Sequence, residues 1–122
     1  MIKYEQAPEI KCKVEDIVRK LELEHVDISR IACFKSQGSS SRRTVARCYA
    51  LSKIWQKTLN IQAHYIIEVL SEKFDKLSEA DKDRVLIHEL LHIPKSFGGG
   101  FRHHDFVCNR NVEQLYKRLR SL

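Results

Sequence analysis

At 122 residues the chain has the common size of one domain, taken here as residues 1–122, and is long enough to bury a core. With 43% hydrophobic and 31% charged residues it reads as an ordinary globular composition, which excludes a disordered chain. The net charge of +6 and a pI near 9.3 tolerate polyanions, leaving room for weak nucleic-acid contact, although a charge of this size also serves solubility.

No apolar run approaches the roughly 20 residues of a membrane span, because the longest, Tyr65 to Leu70, is interrupted by Glu68. The N-terminus, MIKYEQAPEIK, has no apolar signal core. The expectation is a cytoplasmic protein with no membrane contact. The cysteines at 12, 33, 48 and 108 contain no closely spaced pair and so no zinc knuckle. They are expected to be mostly buried thiols, with one internal disulfide open only to an intracellular hyperthermophile protein.

Along the chain, Pro8 suits a first helical turn, and Ile10, Val14, Ile17, Val18 and Leu21 follow at helical spacing. The pattern predicts an amphipathic helix over about 9–24. Ile28 to Lys35 reads as a strand, Gln37 to Thr44 as a loop, and Val45 to Leu51 as a second strand. Ser52 opens a short helical stretch, and Ala63 to Leu70 is a third strand. Ser78 followed by Asp81 resembles a capping box, predicting a helix over about 79–93 that Pro94 stops. Val85, Leu86, Ile87, Leu90, Leu91 and Ile93 surround most of that helix, which should therefore run through the interior. Lys95 to Arg102, with three consecutive glycines, is a loop that either covers the site as a lid or simply connects. A last basic helix is expected from Asp105, with Cys108, Val112, Leu115, Leu119 and Leu122 on one face. The fold class is α+β: a small sheet of about three strands, an N-terminal helix, a buried central helix and a C-terminal helix.

Chemistry concentrates at His88-Glu89-Leu90-Leu91-His92. On a helix, positions i and i+4 stack on one face, so two imidazoles can reach one zinc ion at about 2.0–2.1 Å. Glu89, one step around, can take a proton from a water whose pKa zinc has lowered to about 7. A catalytic zinc, one per chain, needs a third protein ligand and an open position. His104 is the preferred third ligand, expected just before the start of the last helix, with His103 and Asp105 as alternatives. Asp105 is otherwise the N-cap of that helix. His25 and His64 read as lone histidines. Glu68 is either an acceptor behind a zinc-bound imidazole or an edge-strand charge. Arg42, Arg43 and Arg47 read as a solvated loop that can meet phosphates, and Lys117, Arg118 and Arg120 as the wet face of the last helix.

The stretch LIHELLHIPKSFGGGFRHH, with FKSQGSSSRRTVARCYALSKIW and HYIIEVLSEKFDKLS upstream, resembles the zincin-like metallopeptidases of archaea and phages over nearly the whole chain. More distantly, the short HExxH helix, return loop and closing helix are similar to SprT-like metalloproteases, although Asp105 stands where that pattern usually has glycine. The resemblance implies a minimal zinc peptidase with His88, His92 and a downstream histidine as ligands and Glu89 as base. It would hydrolyse a peptide or protein substrate, and Tyr65 to Leu70 is the expected sheet edge for an extended substrate. Two other readings remain: a basic nucleic-acid-associated protein, SprT-like in acting on DNA-bound proteins or with a purely structural zinc, and an interaction protein whose histidines only pack.

Overall fold

The computed structural model describes residues 1–122. In chain order the elements are β1 (Lys3–Gln6), α1 (Pro8–Lys20), a 3-10 turn (Ile28–Arg30), β2 (Ile31–Gln37), β3 (Ala46–Ala50), α2 (Lys53–Leu59), β4 (Tyr65–Leu70), α3 (Ser71–Phe74), α4 (Glu79–Leu91) and α5 (Asn109–Arg120). This is the α+β class, with a sheet of four strands rather than about three. The additional strand is β1, all of whose residues are exposed. An edge strand that buries no face carries no apolar alternation to detect.

The α1 helix starts on Pro8 and buries Ile10, Val14, Ile17 and Val18. It stops short of the predicted residue 24. Glu22 takes φ +54°, and the amides of Glu22 and Leu23 return to the carbonyls of Arg19 and Val18. That is a Schellman ending, closed here by glutamate in place of the usual glycine, so composition does not mark it. The stop turns Leu21 and Val26 into the core.

Strand order in the sheet is β1-β2-β4-β3. The β2 and β4 strands are parallel, and β4 pairs antiparallel with β3 on its other side. The chain leaves β2, crosses by residues 38–45 to the far edge as β3, and comes back through α2 to insert β4 between them. Tyr65 to Leu70 is therefore an inner strand and not the expected edge; that edge is β3. The near-continuous apolar run of β4 suits a strand paired on both sides, and of its residues only Ile66, on the outer face, is exposed. Its residues Tyr65, Ile67 and Val69, with Ile31 and Cys33 of β2, face the helices in one hydrophobic cluster.

Glu68 points to the opposite face and is 1% exposed. There Ser36 donates to its carboxylate, the Tyr49 hydroxyl donates at 2.5 Å, and the Arg47 guanidinium lies at 3.8 Å. It neither supports an imidazole nor guards an edge; it is the buried polar tie between β2, β4 and β3.

Two helices hold α4 in place. The Lys13 ammonium on α1 reaches Asp83 at 2.9 Å and Glu79 at 3.1 Å, and Arg84 reaches Glu113 of α5 at 2.5 Å while lying 4.1 Å over the Tyr116 ring. Only the second half of α4 is interior, with Leu86, Ile87, Glu89 and Leu90 buried. Its first turns are exposed or half-buried, with Ala80 and Val85 only partly packed on the core, which corrects the expectation of a helix buried throughout. No helix is long and apolar enough to cross a membrane. All four cysteines are free, and Cys12 is exposed on α1 rather than buried.

The Ser78 hydroxyl accepts the Asp81 amide at 3.1 Å and so caps the helix that carries His88 and His92. Ser78→Ala is expected to cost about 1 kcal/mol in urea unfolding, and Ser78→Asp to cost little.

Candidate metal centre

The second half of α4 lies between the sheet and α5, with one face open toward β3. His88 and His92 occupy that open face, their rings 5.2 Å apart. His104 meets both from the return loop, its ring centre 5.6 Å from His88 and 5.1 Å from His92. One ligating nitrogen from each of the three falls within 4.8 Å of the others. The donor set, three imidazoles converging on one point from two chain segments, is the set a catalytic zinc uses with one position left open.

Other features fit a metal. Burial first, and then the neighbouring His92 and His104, push His88 below the ordinary imidazole value, which favours the neutral ring a metal needs. His92 Nδ1 donates to the Arg102 carbonyl at 2.7 Å. Because a carbonyl only accepts, the proton sits on Nδ1 and the Nε2 lone pair is left for an ion. Glu89 is buried beside the histidines, and burial alone pushes its carboxyl up to about 7. A carboxyl so placed exchanges a proton readily near neutrality.

Two adjoining clefts of about 400 and about 390 Å³ meet at His88 and Glu89. Residues 46–49 of β3 form one wall, and His92 with residues 101–104, His103 included, closes one end. Arg43, Arg84 and Asn109 border the other end. Cys48 lines the wall as an un-ionised thiol, its pKa driven far up by burial and further by nearby Glu89.

The remaining candidates are not part of the converging set. His103 is exposed, and its carbonyl accepts the Phe106 and Val107 amides in a turn. Asp105 turns its carboxylate onto the adjacent Phe106 amide at 2.9 Å. It caps no helix, because α5 begins at Asn109 after Cys108, four residues later than predicted. His104 is thus held by the turn at 103–107 and not by a helix start. His64 is exposed, and its Nδ1 donates to the Gln62 carbonyl. His25 is half-buried, lowered first by burial, and away from the three. Arg42 and Arg43 are exposed on the 38–45 segment, whereas Arg47 turns to Glu68.

Residues 94–102 are more tightly tied than three consecutive glycines imply. The Tyr65 hydroxyl donates to the Gly100 carbonyl at 2.9 Å and accepts the Gly99 amide at 3.0 Å. The Gln56 amide donates to the carbonyls of Leu51 at 2.8 Å and Gly98 at 3.0 Å. Phe97 is buried with φ +47°, packed on the Tyr65 ring at 4.9 Å. Neither Tyr65 nor Gln56 stands out by motif; the available hint is a tyrosine in an aliphatic strand, whose hydroxyl must find a partner when buried. The three glycines are not equivalent. Gly99 has φ +105°, and a Cβ there would meet the Leu51 carbonyl oxygen at 2.6 Å, whereas the nearest atoms at Gly98 and Gly100 are 3.6 and 4.0 Å away. Gly99→Ala is expected to lower unfolding free energy by about 1–3 kcal/mol. Gly98→Ala and Gly100→Ala are expected to stay within about 0.5 kcal/mol of the parent in the same denaturant titration.

No curated protein and no solved structure matches the chain, so neither comparison supports the likeness to SprT-like proteases. A family model matches almost end to end. Covered over residues 2–121 by the model described as "Putative phage metallopeptidase", the chain belongs to that family.

Proposed function

We propose that the protein is a zinc-dependent peptidase whose metal is held by His88, His92 and His104 and whose general base is Glu89. The observation that carries this reading is the convergence of three imidazoles beside a buried carboxyl in a cleft open to solvent. Bound there, zinc supplies Lewis acidity, polarising a peptide carbonyl and acidifying water. Glu89 accepts the proton of the attacking water and returns it to the leaving amine nitrogen. Burial favours this role by raising the proton affinity of the carboxylate.

The substrate is a peptide in extended form. The β3 strand, last in the sheet order, presents its outer edge to the cleft, where an added strand can use its free backbone groups. This assigns to Ala46–Ala50 the role expected of Tyr65 to Leu70. A structural zinc in a nucleic-acid-associated module would require four protein donors. Three converge, and the cysteines lie outside the group, which supports the hydrolytic reading.

Zinc content and turnover test this reading separately. Protein purified without added metal is expected to hold one zinc per chain by elemental analysis. His104→Ala should weaken zinc binding by more than the roughly 10–100-fold typical of losing a supporting hydrogen bond, and His103→Ala should leave it unchanged. The reverse order would move the third ligand to His103. Glu89→Gln keeps the side-chain shape but cannot accept the proton. It should retain zinc and lower peptide hydrolysis by about 10²–10⁴-fold. Loss of zinc from that variant would instead make Glu89 a ligand.

A further inference from the structure

Tyr65 opens β4, the strand paired on both sides, and its side chain is fully buried. Its hydroxyl donates to the Gly100 carbonyl and accepts the Gly99 amide, so one phenol satisfies two successive peptide units of the return loop. The ring packs against Phe97 at 4.9 Å and edge-on to Phe101 at 6.3 Å, and Phe101 in turn stands edge-on to the His92 ring at 6.1 Å. One residue further, the Arg102 amide donates to the His92 carbonyl at 2.8 Å and the Arg102 carbonyl accepts from His92 Nδ1 at 2.7 Å. Two residues beyond that is His104. The inner strand is thereby connected to two of the three converging imidazoles: Arg102, which bonds His92, lies two residues past Gly100, and His104 lies four residues past it.

We propose that Tyr65 is a positioning residue for the metal centre. By pinning Gly99 and Gly100 to the central strand it places the Arg102 carbonyl that orients His92 and sets the height from which His104 is presented. The inference rests on the zinc reading given above. Tyr65 does not act on substrate, because its hydroxyl is already committed to the loop backbone on both its donor and acceptor sides. Its fixed partner also gives the glycine loop a purpose other than closure. Gly99 must approach the Leu51 carbonyl with positive φ for its amide to meet the phenol, and Gln56 ties Gly98 from the other side.

Tyr65→Phe tests this, since it keeps the ring and its packing and removes both hydrogen bonds. Zinc affinity is read by competition with a chromophoric chelator, amide exchange at Arg102 by NMR, and melting temperature on metal-free and zinc-loaded protein. The expected result is a folded metal-free variant with about 10-fold weaker zinc binding, faster exchange at Arg102, and a smaller melting-temperature gain from zinc. Gln56→Ala, on the mostly exposed α2, removes the second tie and should shift affinity in the same direction by less; it decides the matter if Tyr65→Phe fails to fold. Equal zinc affinity and unchanged Arg102 exchange would overturn the proposal. So would equal falls in both melting temperatures at constant affinity, because Tyr65 would then serve the fold alone. A parent protein that binds no zinc would overturn the metal reading itself, and this inference with it.

Discussion

The site depends on how the chain, having left α4 at His92, is brought back to that helix. The solution is a reciprocal pair of hydrogen bonds between His92 and Arg102: backbone amide to carbonyl at 2.8 Å, and imidazole Nδ1 to carbonyl at 2.7 Å. One contact does three things at once. It satisfies a carbonyl at the helix end that has no partner within the helix, it fixes the tautomer of His92, and it sets the position from which His104 is presented. Everything on the far side of the loop, including the turn at 103–107 and the start of α5, is referred to that pair.

The pair in turn needs a rigid support, and the sheet supplies it. Inserting β4 between β2 and β3 gives it strand partners on both sides, so Tyr65 at its head is a fixed point for the loop. The same insertion pushes β3 to the edge, where its backbone borders the cleft opposite His88 and Glu89. On the outer face of the sheet, Glu68 joins Ser36, Tyr49 and Arg47 across three strands, which keeps β3 in register against β4. Membership of the phage metallopeptidase family accords with this layout, in which a minimal sheet and one helix bring to an open cleft three histidines that could hold a metal.

The local elements were legible because their causes are local. Helical spacing of Ile10, Val14, Ile17 and Val18 specifies α1, Ser78 with Pro94 brackets α4, and the i, i+4 pair of His88 and His92 follows from the pitch of the helix alone. Less legible were the endings that lack their usual residue. A glutamate closes α1 in the left-handed conformation, and the last helix starts at Asn109, since Asp105 spends its carboxylate on the adjacent amide of a turn.

What the sequence by itself determined is the chemistry: two imidazoles one helical turn apart, a carboxyl between them, and further histidines within reach of a return. Covalent spacing and the geometry of a helix suffice for that. Which histidine completes the set, which strand borders the cleft and what holds the glycine loop were decided only by tertiary structure. His103 and His104 are adjacent and chemically identical, and only the fold brings one of them, His104, against His88 and His92. The β3 and β4 strands are both short and apolar, and only their pairing order makes one an edge. The phenol of Tyr65 meets the Gly99 amide across 34 residues of chain, a contact that no local pattern encodes because it exists only once the strand and the loop have packed together.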